Sequence, residues 1–286
     1  MDQHLENKVC LITGATNGIG EESAKELNKM GAEIIFIARN EEKGNKLKEE
    51  LLKDSGREAT MIIADLSSQD QVKKAAEQFL SLDKPLDILL NNAGIMNRER
   101  NETVDGLEEV FSVNHLAYFT FTLMLSEKLK QTEGSRVINV ASGAHQFVKN
   151  MNFDDLQSKE NYKPMQVYGQ SKLANILFTK ALSTKLSDFG VTVNCLHPGF
   201  VSTGIGSNNN KTLWTFLMFL AKPFARKTDK GAETSIYLCS SPEVENISGE
   251  YFVDCKIEKI SEAAKSTEQS ESLWKISTEL TGIDLN

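Results

Sequence analysis

The sequence predicts an α/β fold: a doubly wound parallel sheet with helices on both faces. Between Val9 and Leu196, short apolar runs rich in Val and Ile alternate with amphipathic stretches at helical spacing. The runs are nearly continuous in hydrophobicity, as in parallel strands that helices cover on both sides. Strand–helix alternation of this kind implies right-handed βαβ crossovers around one sheet.

The apolar runs mark six strands, and the amphipathic stretches mark the helices between them. The predicted strands are Val9–Thr13, Ile34–Ala38, Ala59–Ala64, Leu86–Asn91, Arg136–Ala141 and Val191–Leu196. The predicted helices are Glu21–Met30, Glu41–Asp54, Gln69–Leu82, Gly106–Lys130 and Met165–Leu186. Because no repeat, low-complexity tract or Pro/Gly-rich linker interrupts the chain, we expect a single domain over residues 1–286.

Composition narrows the function classes. The 286 residues are 40% hydrophobic and 25% charged, which is ordinary for a globular protein. A net charge of −8 argues against a nucleic-acid binder, which would carry a basic face. Four scattered cysteines without a CxxC pair or a His cluster exclude a disulfide scaffold and a cysteine-rich zinc site, so we predict no metal. Reduced thiols, and a polar start (MDQHLENK) unlike a signal peptide or membrane anchor, predict a cytoplasmic location.

The segment Val9–Gly20 (VCLITGATNGIG) predicts a dinucleotide site. A buried strand ends at Thr13, and Gly14, Gly18 and Gly20 follow before a helix starts. Glycines are needed where a turn is tight and the backbone approaches a pyrophosphate, which would sit at the positive end of the helix. The spacing differs from the usual GxGxxG, and a structural turn without a ligand is the alternative.

Arg39 predicts the choice of cofactor. The second strand ends Ile37-Ala38-Arg39-Asn40, where an acidic residue would hold the ribose 2′-hydroxyl of NAD. A guanidinium there can hold a 2′-phosphate through paired hydrogen bonds. We therefore predict NADP(H), the alternative being a solvated charge at a strand end.

Two further strand ends fit the same ligand. Asp65-Leu66 follows the third strand, where the carboxylate could hold an adenine amino group or could cap the next helix. Asn91-Asn92-Ala93-Gly94 ends the fourth strand, and its small residues permit close approach of the backbone to a cofactor. Asn side chains can also lock neighbouring strand ends, so part of this motif could be structural.

Tyr168 and Lys172 are candidates for acid–base chemistry. They lie on one face of a predicted helix, one turn apart. An ammonium near a phenol favours the phenolate, so we expect the pKa of Tyr168 to be lowered. Ser142 follows a buried strand at the carboxyl edge of the sheet, where its hydroxyl could bind a substrate carbonyl. Asn114, in a predicted helix, could hold a water or could be an interior amide bonded to backbone.

These motifs together resemble the short-chain dehydrogenase/reductase family. The segments in family order are TGATNGIG at 13–20, NNAG at 91–94, Asn114, Ser142, YGQSK at 168–172 and HPG at 197–199. The resemblance covers essentially the whole chain. It implies a single Rossmann domain whose parallel sheet has seven strands in the order 3-2-1-4-5-6-7.

The resemblance also implies the roles of the site residues. Tyr168 would donate or accept the proton, Lys172 would lower its pKa and bind the nicotinamide ribose, Ser142 would polarise the carbonyl, and Asn114 would hold a water. The implied cofactor-binding residues, besides Tyr168 and Lys172, are Thr13, Gly14, Asn17, Gly18, Ile19, Gly20, Arg39, Asp65, Leu66, Asn92, Ala93, Gly94, Pro198, Gly199, Val201 and Thr203.

A narrower likeness is to the retinol dehydrogenase subgroup, microsomal enzymes that prefer NADP(H). It is carried by FDDLQSKENY at 153–162 within a long insert, SKLANILF at 171–178, SGEYFVDCK at 248–256 and LWKISTELTGI at 273–283. Those membrane enzymes carry an apolar amino-terminal anchor, which this sequence lacks. The likeness therefore implies a soluble relative acting on a small lipophilic carbonyl or alcohol, retinal-like or another apolar aldehyde or ketone.

Three expectations concern partners and motion. Residues 204–226 join a flexible turn to an apolar stretch, LWTFLMFLAKPFA at 213–225, which is a buried helix, a substrate lid or a peripheral membrane contact. The family often pairs through two long helices, which implies a homo-oligomer, although membrane-type relatives need not pair. The alternative to an enzyme is a non-catalytic NADP(H)-binding protein on the same fold.

Overall fold

The computed structural model describes residues 4–199 and 227–285, which form a central sheet flanked by helices. The sheet has eight strands in the order β3-β2-β1-β4-β5-β6-β7-β8. The strands are β1 (Val9–Thr13), β2 (Glu33–Ala38), β3 (Thr60–Ile63), β4 (Ile88–Asn91), β5 (Arg136–Val140), β6 (Thr192–His197), β7 (Tyr251–Val253) and β8 (Lys256–Ile257). The predicted α/β fold and the implied order of the first seven strands are confirmed.

The eighth strand is a small correction to the implied count of seven. β8 pairs antiparallel with β7, and the two are joined by Asp254 and Cys255, with φ angles of 51° and 60°. Positive φ at both central residues is the geometry of a tight two-residue hairpin. The usual signal for such a hairpin is Asn-Gly or Asp-Gly, so Asp-Cys gives little warning of it.

Helices cover both faces of the sheet because its central strands are buried on both sides. Leu11 of β1 lies opposite Ile35 of β2 and Leu89 of β4 in the parallel register. Leu11 packs in a core cluster with Phe79 and Phe119, whereas its neighbour Ile12 packs in a second cluster on the other face. Successive strand residues point to opposite faces, so continuous apolar runs fill both cores.

Capping residues set the ends of several helices. The helices are α1 (Gly18–Lys29), α2 (Glu41–Ser55), α3 (Gln69–Ser81), α4 (Glu109–Phe111), α5 (Ala117–Met124), α6 (Ser126–Gln131), α7 (Pro164–Lys185), α8 (Thr228–Ser240) and α9 (Thr267–Thr281). The Asn40 side chain accepts the Lys43 N–H (2.8 Å) at the start of α2, and Gly56, with φ of 74°, ends that helix. A glycine with positive φ is a common helix stop.

The predicted helix Gly106–Lys130 is wrong in detail. The Glu108 carboxylate accepts the N–H groups of Val110 and Phe111, so the helix begins only at Glu109. A π-helical turn, Ser112–Leu116, then separates α4 from α5, and Leu125 separates α5 from α6. Single π turns often occur at functional sites. Residues 117–123 are all buried, so no polar periodicity marks these breaks.

The carboxy-terminal helix α9 packs across α5 and α7. The Trp274 ring lies 5.1 Å from the Phe119 ring and 5.9 Å from the Phe178 ring, centroid to centroid. Ser277 lies within hydrogen-bond distance (2.9 Å) of Nε2 of His115. Burial lowers the pKa of His115 to about 3, so the imidazole stays neutral beneath α9.

Several sequence expectations fall outside the described residues. They are the sites Val201 and Thr203, the lid at 204–226 and the apolar stretch 213–225. Within residues 4–199 and 227–285, no helix combines the length and apolar character needed to cross a bilayer.

His115→Gln should weaken the acid sensitivity of the fold. Because the folded pKa of His115 is about 3 and the ordinary value is 6.5, the unfolded state takes up a proton that the folded state refuses as pH falls below 6.5. Between pH 7 and pH 5, wild type should lose about 2 kcal/mol more of its unfolding free energy than the variant. Urea unfolding at both pH values measures this, with the exposed His4→Gln as control; equal losses in wild type and His115→Gln would contradict it.

Candidate active site

Thr13 joins the carboxyl ends of β1 and β4. Its Oγ1 accepts the backbone N–H groups of Asn92 (2.9 Å) and Ala93 (3.1 Å). The Asn92 side-chain amide donates in return to the carbonyls of Thr13 (3.0 Å) and Gly14 (3.1 Å). The strand order reverses at this point of the sheet, because β1 lies between β2 and β4. Open α/β sheets bind ligands in the crevice at such a reversal.

The glycine turn fills the space beside this junction so tightly that side chains do not fit. Gly14 has φ of 68°, and a Cβ added there would lie 2.8 Å from Cα of Ala93. Gly18 has φ of 61°. A Cβ on Gly20 would lie 2.4 Å from the Gly14 carbonyl oxygen. Glycine is therefore required at these positions for the turn to pack against the end of β4 and the start of α1.

The start of α1 fits an anion. Asn17 precedes the helix, and in the described part of the chain its side chain makes no hydrogen bond to the first helical turn. The first N–H groups of a helix point outward and carry partial positive charge. Ile19, in the first turn of the helix, is buried. The residues present thus fit a pyrophosphate group, as the sequence predicts.

Arg39 and Asp65 lie together at the ends of β2 and β3. Their Nη1 and Oδ2 atoms are 3.9 Å apart, and the Arg39 side chain is 64% exposed. Asp65 accepts the N–H of Ser67 (2.9 Å), whereas α3 is capped by Ser68. Asp65 is therefore not the helix cap, and Arg39 keeps donors directed to solvent. Leu66 is buried beside them.

The NNAG motif has a structural residue in the core, Asn91, and a residue beside the cleft, Gly94. The Asn91 amide donates to Oγ1 of Thr122 and Oδ1 of Asn139 (both 2.9 Å), inside the core. Asn91 therefore ties β4 to its neighbours. Gly94 lies beside the cleft, where an added Cβ would be 3.5 Å from both Oδ1 of Asn114 and Nζ of Lys172.

The structure brings Ser142, Tyr168 and Lys172 to one place at the sheet edge. Ser142 follows β5, and its Oγ accepts the N–H of Ala144 (3.2 Å). The Ser142 side chain lies near enough to Tyr168 to oppose the rise in its pKa. Lys172 is one turn further along α7; its Nζ lies 5.7 Å from the centre of the Tyr168 ring and donates to the Val140 carbonyl (2.9 Å).

The expected lowering of the tyrosine pKa is wrong for the protein alone. Burial raises the pKa of Tyr168 to about 12, although the nearby Ser142 side chain acts in the opposite direction. Burial also lowers the pKa of Lys172 to about 7, so the ammonium is itself partly discharged near neutral pH. Desolvation dominates both shifts, because each charged form loses its water on burial. Tyr168 therefore keeps its proton.

Asn114 is an interior amide bonded to backbone, which was one of the two sequence alternatives. Its Oδ1 accepts the N–H of Ile95 (2.8 Å), and its Nδ2 donates to the Ile95 carbonyl and to Oγ of Ser171 (both 3.0 Å). Ser171 donates to the Tyr168 carbonyl (2.8 Å). Asn114 therefore connects β4 to the helix turn that carries Tyr168. Its water-holding role stays a prediction.

The remaining described site residues, Pro198 and Gly199, follow β6. Gly199 has φ of 80°, which suits the turn that leaves the strand. The preceding residue, His197, packs against Gly143, where an added Cβ would lie 3.2 Å from the His197 Nε2.

A cavity of about 460 Å³ opens at the first turn of α7. Its lining residues are Met96, Asn97, Arg98, Lys163, Pro164, Met165 and Gln166. They come from the chain after β4 and from the first turn of α7, which starts four residues before Tyr168. Its apolar part suits a lipophilic group.

Comparison with known proteins identifies the family. The model for "short chain dehydrogenase" matches residues 8–214. The chain belongs to the short-chain dehydrogenase/reductase family. Retinol dehydrogenase 12 of Mus musculus is 40% identical over 280 residues, covering 98% of this chain and 88% of that protein. Retinol dehydrogenase 14 of Homo sapiens is 39% identical over 295 residues, with the same coverage of 98% and 88%.

Solved structures agree with this assignment. A protein from Mycobacterium paratuberculosis superposes with a TM-score of 0.79 at 27% identity, over 99% of this chain and 96% of that one. A short-chain dehydrogenase from Burkholderia cenocepacia, in complex with NADP, gives 0.68 at 25% identity, over 92% and 100%. The protein is thus a retinol dehydrogenase-like oxidoreductase acting on CH–OH or C=O groups with a nicotinamide cofactor.

The sequence did not predict several residues that contact the site residues or line the cavity. The Tyr118 hydroxyl donates to the Ala93 carbonyl (2.7 Å), and its ring centre lies 5.9 Å from Nζ of Lys172. Ser171 joins Asn114 to Tyr168, and Met96 and Met165 line the cavity. Tyr118 lies one helical turn after Asn114, and this spacing was the available signal. No sequence signal marks the cavity residues, because they come from two segments far apart in the chain that only the fold brings together.

Thr13→Val should loosen the junction of β1 and β4, whereas Thr13→Ser should preserve it. Valine keeps the shape but leaves the N–H groups of Asn92 and Ala93 without their acceptor. We expect a loss of about 1–3 kcal/mol of unfolding free energy. We also expect roughly tenfold weaker binding of the reduced nicotinamide cofactor. Urea unfolding and fluorescence titration measure both, and wild-type cofactor binding by the valine variant would contradict this role.

Proposed function

We propose that the protein is an NADP(H)-dependent oxidoreductase that exchanges a hydride with an apolar aldehyde, ketone or alcohol. One observation carries the proposal: Ser142, Tyr168 and Lys172 converge beside a glycine turn that fits a dinucleotide. In this proposal residues 1–286 form one dinucleotide-binding domain, and residues 204–226 close over the substrate. The predicted cofactor-binding residues, including Val201 and Thr203, keep their assigned roles.

Residues of the chain bind the carbonyl oxygen and transfer the proton. The bound cofactor supplies or accepts the hydride at its nicotinamide ring. The hydroxyls of Ser142 and Tyr168 bind the carbonyl oxygen and polarise it, and Tyr168 donates the proton in reduction. Because its pKa is raised to about 12, the phenol is protonated at neutral pH, as reduction requires.

Lys172 and Asn114 orient these groups. Lys172 is fixed by the Val140 carbonyl, and its Nζ faces Gly94 across the cleft, where it could bind the hydroxyls of the nicotinamide ribose. A phosphate or ribose neighbour that restores the ammonium would stabilise the phenolate for alcohol oxidation. Asn114 holds the helix turn of Tyr168 through Ser171 and would position a water in the proton path.

Arg39 supports the choice of NADP(H). Its exposed guanidinium stands at the end of β2, beside Asp65 but only at the limit of an ion pair (3.9 Å). A phosphate could therefore take its donors without breaking a strong contact. The NADP complex of the Burkholderia cenocepacia relative supports the same choice.

The cavity supports a lipophilic substrate. Met96, Pro164 and Met165 form its apolar part, and methionine adapts readily to ligands of irregular shape. The names of the relatives point to retinol or retinal for those proteins. For this chain we propose a retinal-like compound or another apolar carbonyl of similar size.

The cysteines and the apolar stretch 213–225 bear on location and assembly. The four cysteines are free, and three of them are buried, which suits a reducing cytoplasm. We keep a peripheral membrane contact through residues 213–225 and a homo-oligomer as proposals. Liposome flotation and light scattering test them: a protein that stays in the aqueous fraction as a monomer would contradict both.

The test of the function is NADPH oxidation against a panel of carbonyls. The panel runs from short polar aldehydes to long apolar ones, with all-trans-retinal included and NADH in parallel. Turnover that rises with apolar length and needs NADPH is the expected result. NADPH binding without turnover of any carbonyl would instead favour the alternative, a non-catalytic NADP(H)-binding protein.

Tyr168→Phe should abolish turnover and leave cofactor binding intact. The phenylalanine keeps the ring but lacks the proton, so we expect kcat to fall by roughly 10²- to 10⁴-fold. Stopped-flow or steady-state assays measure kcat, and fluorescence titration measures the Kd for NADPH. Tyr237→Phe on α8, whose hydroxyl bonds Glu243 at the surface, is the matched control. A Tyr168→Phe variant as active as this control would overturn the proton-donor role.

Arg39→Asp should reverse the cofactor preference. The carboxylate repels a 2′-phosphate and can bind a ribose hydroxyl instead, so the ratio of kcat/KM for NADPH over NADH should fall on the order of 100-fold. Lys53→Asp makes the same charge change at an exposed position of α2 and should leave the ratio unchanged. An unaltered ratio in Arg39→Asp would mean that another residue binds the phosphate.

A further inference from the structure

His145 is a buried histidine three residues after Ser142. It lies in the short 3₁₀ turn, Gly143–Phe147, that leaves β5 at the site. Its Nδ1 is 2.8 Å from the Ser142 carbonyl oxygen, and its Nε2 is 3.3 Å from the backbone nitrogen of Ser261. The imidazole therefore bridges the peptide of Ser142 and the carboxy-terminal part of the chain.

The two contacts fix the tautomer of the ring. The Ser261 N–H can only donate, so Nε2 must be the bare nitrogen that accepts. The proton of the neutral ring is then on Nδ1, which donates to the Ser142 carbonyl. Burial lowers the pKa of His145 below its usual value, which keeps the ring neutral. The Tyr251 ring packs against it edge to face, at 5.2 Å and 69°.

The position of Ser142 is coupled to that of Tyr168, because the turn after Ser142 packs closely against α7. The Ser142 Oγ accepts the N–H of Ala144, and the Ser142 carbonyl also accepts the backbone N–H of His145 (3.2 Å). The Ala144 carbonyl lies against α7 at Gly169, where an added Cβ would be 2.8 Å from its oxygen. Gly169 is the residue after Tyr168. A small rotation of the Ser142 peptide would thus change the distance between the hydroxyls of Ser142 and Tyr168.

The same segment is held at a second point by the carboxy-terminal residues. The Gln269 side chain accepts the N–H of Met151 (2.6 Å) and donates to Oδ1 of Asn150 (3.2 Å). Ser261 itself is held in a turn, since its carbonyl accepts the N–H of Ala264 (3.0 Å). The stretch from Ser261 to Gln269 therefore contacts the segment after Ser142 at two points, His145 and Asn150–Met151.

We propose that His145 is a positioning residue, which holds the Ser142 peptide so that the serine hydroxyl stays in place for the substrate oxygen. The carboxy-terminal segment acts through it, because the Ser261 N–H selects the tautomer that can donate to Ser142. The inference rests on the proposed function, in which Ser142 binds the carbonyl oxygen. His145 itself contacts neither the substrate nor the cofactor.

Three substitutions separate positioning from packing. His145→Asn places an amide N–H where Nδ1 stands but loses the ring. His145→Phe keeps the ring against Tyr251 but loses both hydrogen bonds. His145→Gln keeps an amide near Nε2 but has no donor at the Nδ1 position, and it serves in place of the phenylalanine should that variant fail to fold. The exposed His4→Phe is the control for the substitution itself.

The expected order of activity differs from the expected order of stability. Urea unfolding should rank His145→Phe at or above His145→Asn, since burial of the ring is kept. In contrast, kcat should stay within a few-fold of wild type in His145→Asn and fall roughly 10- to 100-fold in His145→Phe and His145→Gln. The KM for the carbonyl and the Kd for NADPH should change little. A kcat that follows stability, or a wild-type kcat in His145→Phe and His145→Gln, would overturn the proposal.

A double-mutant cycle with Ser142→Ala tests whether His145 acts through Ser142. If His145 acts through Ser142, then His145→Phe should add almost no further loss of kcat once the serine hydroxyl is gone. Losses that multiply would mean that His145 acts elsewhere. The activity of wild type in the same assay distinguishes a failure of the proposed function from a failure of the role of His145. A wild type inactive on every carbonyl overturns the proposed function and this inference with it, whereas an active wild type with multiplying losses overturns the inference alone.

Discussion

The exchange of hydrogen bonds between Thr13 and Asn92 is the constraint on which the site depends. It joins the carboxyl ends of β1 and β4. From this pair the described sheet continues to β2 and β3 on one side and to β5 and β6 on the other. Because the two ends are locked, Gly14 can lie against Ala93 and Gly94 can face Lys172 across the cleft. In the proposed function, the glycine turn would hold the cofactor, and Ser142 and Tyr168 would bind the substrate carbonyl beside it.

Burial governs the chemistry of the site more than charge pairing does. It raises the pKa of Tyr168 to about 12 and lowers the pKa of Lys172 to about 7, so the pair is poised as a neutral phenol beside a lysine that is readily discharged. One pKa unit corresponds to about 1.4 kcal/mol, so a bound anionic ligand near Lys172 can shift both groups appreciably. The protonation state of the tyrosine is in this way coupled to what occupies the cleft. The hydrogen-bonded supports behind it, from Asn114 through Ser171 and from His145 to Ser142, hold the geometry while the charges change.

Much of this could be predicted from sequence because it is local. Continuous Val- and Ile-rich runs marked the parallel strands, and strand ends such as Thr13-Gly14 and Ser142 marked the binding edge. The direction of the Tyr168 pKa could not be predicted, since spacing shows a neighbouring lysine but not the loss of solvent around both. The π turn at Asn114 and the hairpin at Asp254-Cys255 depend on backbone geometry that their residues do not signal. The cavity and the bridge from His145 to Ser261 join segments far apart in the chain, and only the fold brings them together.

Calorimetric titration of the purified protein with NADPH and with NADH tests whether this edge of the sheet binds a nicotinamide dinucleotide and whether Arg39 contacts its 2′-phosphate. We expect one site per chain and NADPH binding at least about tenfold tighter than NADH, the difference that a single charge-assisted contact provides. Equal affinity for both, tighter binding of NADH, or binding of neither would contradict it.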